Sequence, residues 1–225
     1  MWKFYRKVIG AGIYNSLNDT SDNSVRDRDG HGSHTASIAA GNNVENTSLH
    51  GFAQGKARGG VSSARLAIYK VCVLIGWASA DVLAAYDDAI SDGIDIISAS
   101  LGFNNAPALH GDPITIGAFH AMARGLLTVN SAGNRGPTVY TIDSVAPWLV
   151  SVAASTTDRK IIDRVVLGNG KELTVSIINS PLTLVHDSSS KSRLLLLKAL
   201  EASEPKRTIS KRIYNNMWMV NRLHY

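Results

Sequence analysis

Two side chains stand in settings that suit catalysis, His31 and Asn134. His31 lies in DGHGSHTASIAAG, residues 29 to 41, at the start of a predicted helix made almost wholly of small residues. The positive end of a helix dipole disfavours imidazolium there, so the ring stays neutral and able to take a proton as a general base. Local context alone equally allows a capping or core histidine. Asn134 lies in NSAGNRGP, residues 130 to 137, where an apolar run meets a Gly-rich turn. An amide displayed at a strand's carboxyl end is a donor suited to an oxyanion. A turn asparagine that satisfies its own backbone is the alternative. A third segment, SASLG at 98 to 102, ends in a glycine that lets another backbone come close. An extended peptide could add there as a strand, and strand termination is the plainer reading. His31 and His34 share a helix face, but no cysteine or third ligand accompanies them, so neither metal nor cofactor is expected.

The elements that must hold these groups alternate between strand and helix. Leu66 to Val73 is a β-rich run, and Ser79 to Asp92 has helical periodicity with Asp81 near its start and Gly93 just past its end. Ile94 to Ser100 reads as a buried strand, and Pro113 to Arg124 as a helix with proline in the first position. Strands at Leu126 to Asn130 and near Trp148 to Ala153 follow. This βαβαβ order predicts an α/β fold with a parallel sheet covered on both faces, whose ligands gather at the carboxyl ends of strands. Ser100 to Gly102 and Asn134 both follow such ends. The helix containing Gly32, Ser33, Ala36, Ser37, Ala39 and Ala40 has little apolar bulk, so close backbone approach must bury it, with Gly41 as its C-terminal cap.

Composition suits one sizeable globular domain: 225 residues, 44% hydrophobic and 18% charged. The single cysteine, Cys72, excludes an intrachain disulfide and falls in an apolar run, where a buried structural thiol is expected. MWKFYRK at the start has no apolar h-region, so no secretory signal is read, and no stretch approaches transmembrane length. Asn18-Asp19-Thr20 and Asn46-Thr47-Ser48 are sequons that matter only in the secretory route. Residues 186 to 225 carry eight Lys and Arg against three Asp and Glu, so the chain's whole net charge of +5 sits in this tail. A solvated basic tail, poorly ordered from residue 179 and with a short helix at Ser192 to Ala202, is expected, rather than a nucleic-acid or membrane patch.

Taken together, DGHGSHTAS, SASLG and NSAGN resemble the subtilisin-like serine proteases, closest in wording to the plant cucumisin type. The resemblance runs collinearly from about Lys7 to Ile178 through IGAGIYNS, ARGGVSSARLAIYKVC, ADVLAAYDDAISDGIDIIS, IGAFHAMARG and VAPWLVSVAAS. It implies a subtilisin-like three-layer α/β fold, incomplete here, over residues 1–178, and a polypeptide substrate. It implies His31 as the catalytic base, Asn134 as the oxyanion-hole amide, and Ser100, Leu101 and Gly102 as the substrate-pairing edge. Ser131, Ala132 and Gly133 would line the wall of the pocket for the residue before the scissile bond. Ser33 replaces the more usual threonine. The family's aspartate motif, D-T-G or D-S-G, and its nucleophile motif, G-T-S-M, do not occur in this sequence. The expectation is a truncated piece of the catalytic domain, inactive by itself, or a non-catalytic peptide-binding or subtilase-pairing protein. Asp27 and Asp29 precede His31 in the same loop and are poor substitutes for the absent acid. The family is mostly extracellular, which leaves the location of a chain without a signal open, as is its oligomeric state.

Overall fold

The computed structural model describes residues 7–49, 52–74, 76–103, 107–155, 162–166, 168–176 and 217–221. Two compact units divide the chain, one of residues 1–155 with 214–225 and one of residues 156–213. The first begins with β1 (Val8–Ile13), α1 (His31–Ala40) and the antiparallel hairpin β2 (Val44–Leu49) and β3 (Phe52–Ala57). It continues with β4 (Arg65–Lys70), α2 (Ser79–Ser91), β5 (Ile96–Ala99), α3 (Pro113–Ala123), β6 (Leu127–Ser131) and β7 (Val150–Val152). In the second, β8 (Ile162–Val166) and β9 (Glu172–Ser176) form an antiparallel ladder. A last strand, β10 (Met217–Asn221), returns to the first unit.

The central sheet runs β1-β4-β10-β5-β6-β7. β1 with β4, β5 with β6, and β6 with β7 are parallel, as the βαβαβ pattern predicts. Residues 66 to 70 of β4 are buried without interruption, which marks a strand covered on both faces. Alternation of its side chains assigns the faces. Ala67 and Tyr69 join the larger core, with Val82, Ala85, Tyr86 and Ala89 of α2 and Ile114 and Ala121 of α3. Leu66 and Ile68 pack instead with Ala40 and Ala64, and with Ala36 and Ala39 of α1. The sheet therefore lies between α2 and α3 on one side and α1 on the other, an α/β three-layer arrangement. Cys72 is buried in the larger core.

Local chemistry explains the helix ends. Asp112 caps α3, accepting from Ile114 N–H at 2.9 Å and Thr115 Oγ1 at 2.6 Å, with Pro113 in the first turn. Gly93, just past α2, adopts φ 67°, which glycine tolerates without strain. Gly41 ends α1 with φ −55° and ψ 140°, an extended and not a left-handed cap. Space is the reason for glycine there, because an added methyl group would press on the Ser37 carbonyl. The expected close backbone approach of α1 is made by residues 59 to 61. Gly59, Gly60 and Val61 N–H groups donate to the carbonyls of Gly41, Ile38 and Ala39 at 2.8–2.9 Å. A methyl group on Gly59 would collide with the backbone of Ala40 and Gly41.

Five residues of the basic tail have a place in the sheet. β10 lies between β4 and β5 and is antiparallel to both, with Met219 opposite Ala67 and Ile97. The expected helix at 192–202 lies outside the described residues. Among the described residues no helix is long and apolar enough to cross a membrane.

Candidate active site

The loop from β1 to α1 is fastened before it reaches His31. Lys70, at the carboxyl end of β4, is buried and donates to both Asp22 carboxylate oxygens at 2.8 Å, to Ser24 O at 3.0 Å and to Arg26 O at 2.9 Å. Arg28 adds a contact to Asp22 from the solvent side, 3.2 Å away. Earlier in the loop, Ser16 N–H donates to the buried carboxylate of Asp81 on α2 at 3.0 and 3.1 Å.

Asp27 then sets the start of α1. Its carboxylate accepts from Ser33 N–H at 2.6 Å, Gly30 N–H at 2.9 Å and Asp29 N–H at 3.1 Å. Partial burial works to raise its pKa, but the hydrogen bonds from Ser33, Gly30 and Asp29 outweigh it and hold the carboxyl below its ordinary value. Asp27 is thus committed to the helix amino terminus, where orphan N–H groups need an acceptor, and not to orienting His31.

His31 is the first residue of α1 and is half-buried. Burial lowers its pKa from the usual 6.5, against the opposing charges of Asp29 and Asp27, and His34 adds to the lowering. Desolvation, the leading cause, thus favours the neutral ring. Its Nε2 lies 3.5 Å from Ser100 Oγ, at the carboxyl end of β5. Its Nδ1 is buried and has no hydrogen-bond partner among the described residues. An orphaned buried nitrogen is costly, and this is the nitrogen that a carboxylate grips when it orients a catalytic imidazole. His34 is exposed, and among the described residues no three His, Cys, Asp or Glu side chains converge as a metal site would require.

The other predicted residues gather at the same end of the sheet, because β5 and β6 are parallel with Ala99 opposite Asn130. Asn130, fully buried, was not among the residues singled out from the sequence, yet it organises this end. Its Oδ1 accepts from Leu101 N–H at 3.3 Å, and its Nδ2 donates to Leu101 O at 3.2 Å and to Ser144 Oγ. Ser131 Oγ also donates to Leu101 O, at 3.4 Å. The Leu101 side chain is wholly buried in the main core. Both its side chain and its backbone groups are thus engaged with the protein.

Opposite this edge, Ala132 is pinned through its N–H to Val152 O at 2.9 Å and through its carbonyl to Asp143 N–H at 3.1 Å. Gly133 adopts φ 91°, a conformation that favours glycine, and the exposed Asn134 follows it. Asp143 was likewise not foreseen. Its side chain is 6% exposed and paired with Arg135, and it lies against both walls: its Oδ2 would clash with a methyl group on Gly133 and would stand 3.1 Å from one on Gly102. A buried polar residue at a strand end was the available signal for Asn130, but nothing local marked Asp143.

The chain also matches known proteins in sequence. The sequence profile of the Subtilase family matches residues 6–211. Subtilisin-like protease SBT4.10 of Arabidopsis thaliana is 56% identical over 174 residues, which cover 77% of this chain and 24% of that protein. Subtilisin-like protease SBT4.13 of the same plant is 52% identical over the same share of this chain and 23% of its own length. SBT4.8 is 48% identical over 210 residues, 88% of this chain and 29% of its own length. The chain spans about a quarter of the length of these relatives. With a matching profile across most of its length and the three-layer sheet to carry it, the chain belongs to the subtilase family of peptidases.

Proposed function

We propose that this segment is the histidine-bearing part of a serine endopeptidase catalytic domain, which by itself holds an extended peptide but does not cleave it. The observation that carries this reading is His31. Burial lowers its pKa, its Nε2 lies beside Ser100 at the carboxyl edge of the sheet, and its buried Nδ1 has no hydrogen-bond partner among the described residues. In this reading His31 is the base and Asn134, exposed beyond Gly133, donates to the oxyanion. Ser100 and Gly102 pair with the peptide backbone, Leu101 anchors that edge through Asn130, and Ser131, Ala132 and Gly133 form the facing wall. Neither the acid motif nor the nucleophile motif of the family occurs in the sequence, so the covalent step has no attacking group with an oriented base. The division into a catalytic-domain portion, residues 1–178, and a basic tail, residues 179–225, is part of the same proposal.

A serine-directed fluorophosphonate probe tests it on the full chain. The expected outcome is peptide binding without covalent labelling. Labelling that disappears in His31→Ala would overturn the claim of inactivity, and its loss in Ser100→Ala would identify the hydroxyl responsible.

A further inference from the structure

We infer that Asn46 is the attachment site of an N-linked glycan in a chain that passes through the secretory route, and that the glycan guards an open sheet edge. The inference is independent of the peptide-binding reading above. Asn46-Thr47-Ser48 is one of two acceptor tripeptides in the sequence. Its place in the fold presents it. β2 takes three steps from Val44 to Thr47 where β3 takes two from Ala57 to Gly55, so β2 carries an extra residue there, a β-bulge. Within the bulge Asn46 adopts φ 56°, in the left-handed region where asparagine is enriched. Asn46 is exposed, as are Val44, Glu45 and Ser48. Thr47, by contrast, turns its hydroxyl across the hairpin to Gly55 O at 3.0 Å. The other tripeptide, Asn18-Asp19-Thr20, lies in the loop that carries His31. There Asp19 is buried, its N–H donates to Asn15 Oδ1 at 3.0 Å, and its carboxylate accepts from Ser21 N–H at 2.9 Å. Asn46 stands beyond the far end of α1, whose ten residues span about 15 Å, so a sugar there starts well away from His31.

The hairpin gives the glycan a role. Among the described residues β2 and β3 pair only with each other, so each leaves one edge of backbone groups unpaired. Such an edge is a template for another chain unless a bulge, a charge or a cover blunts it. The nearby charges cancel, because Glu45 and Lys56 pair with each other at 2.6 Å. A bulky, solubilising sugar at the bulge covers the β2 edge and keeps a second copy from adding to it. Attachment is a group transfer from a lipid-diphosphate-linked oligosaccharide, catalysed by a glycosyltransferase of that route. Asn46 Nδ2 bonds to the anomeric carbon and gives up one proton. The bond from that carbon to the diphosphate oxygen breaks, and the lipid diphosphate leaves with the electron pair.

The full chain, expressed behind a secretory leader in yeast, tests the assignment. Peptide-N-glycosidase in heavy-oxygen water releases the sugar and leaves a labelled carboxyl at the attachment residue, which mass spectrometry of tryptic peptides locates. The label is expected at residue 46, lost in Asn46→Gln and Ser48→Ala, and retained in Asn18→Gln and in Ser48→Thr, which keeps the hydroxyl. Static light scattering should be higher for Ser48→Ala than for Ser48→Thr, the same backbone without and with the sugar. Unmodified Asn46 in chain whose leader has been removed, or a label at residue 46 that survives in Ser48→Ala, overturns the attachment site. Equal scattering by the two Ser48 variants overturns the guarding role.

Discussion

Lys70→Met is the substitution that asks most of the reasoning about how His31 is positioned. The change removes an ammonium whose three N–H groups serve four acceptor oxygens, two on Asp22 and the carbonyls of Ser24 and Arg26. Lys70 and Asp22 are 6% and 3% exposed, so the carboxylate left behind cannot regain its water. Its remaining cationic contact is Arg28, 52% exposed and 3.2 Å away, a pairing that solvent largely screens. Breaking a buried pair by deleting one partner costs about 3–5 kcal/mol, and Arg28 places the expected loss near 3 kcal/mol. Urea unfolding followed by circular dichroism measures it. The double variant Asp22→Asn, Lys70→Met should recover part of that loss, with a coupling of about 1–3 kcal/mol, because it removes the orphaned charge. The His31 Cε1–H resonance should move in Lys70→Met, since residues 22 to 26 are tied to β4 through the Lys70 side chain. A loss below about 1 kcal/mol, the value of an exposed pair, would refute the claim that this cluster anchors the loop.

His31 should titrate below its ordinary 6.5, and Asp29→Asn should lower it further by removing a charge that raises it, both read by NMR. The sign for stability follows: the unfolded chain binds the proton more readily, so this contribution is full above pH 6.5 and lost as pH falls through the lower folded-state value. A His31 that titrates above 6.5 would contradict the burial argument. Met219→Pro in β10 should lower the urea midpoint, with a loss of at least about 1–3 kcal/mol, since a strand paired on both sides has no solvent-facing N–H to give up. An unchanged midpoint would show that β10 does not hold the centre of the sheet.

Local pattern made most elements legible. The β-rich run at 66–73, the helix with Asp81 at its start and the proline-headed helix each appear within about three residues of their predicted ends. Period and capping chemistry are properties of neighbouring residues, so they can be read without a partner. β10 was hidden for the opposite reason. MWMVN is five residues in a basic tail, and it becomes a strand only through pairing with β4 and β5, more than 110 residues earlier. The hairpin of β2 and β3 was passed over too. Its strands carry register shifts between Val44 and Thr47 and again before Leu49, which break the alternation that would announce it.

The candidate site divides along the same line. Sequence by itself determined which groups are available: a histidine at a helix start, an asparagine after a Gly-rich turn, a strand ending in SLG, and no acid or nucleophile motif of the family. Tertiary structure decided how they are used. Asn130 grips Leu101 across 29 residues, Lys70 reaches Asp22 across 48, and Asp143 comes to lie between Gly102 and Gly133. Which buried polar groups meet depends on strand register and on where long loops close, and neither is encoded in a local window. Types and spacing therefore told what chemistry the chain carries, while only the packed sheet told that Asp27 is spent on a helix end and that His31 Nδ1 has no hydrogen-bond partner among the described residues.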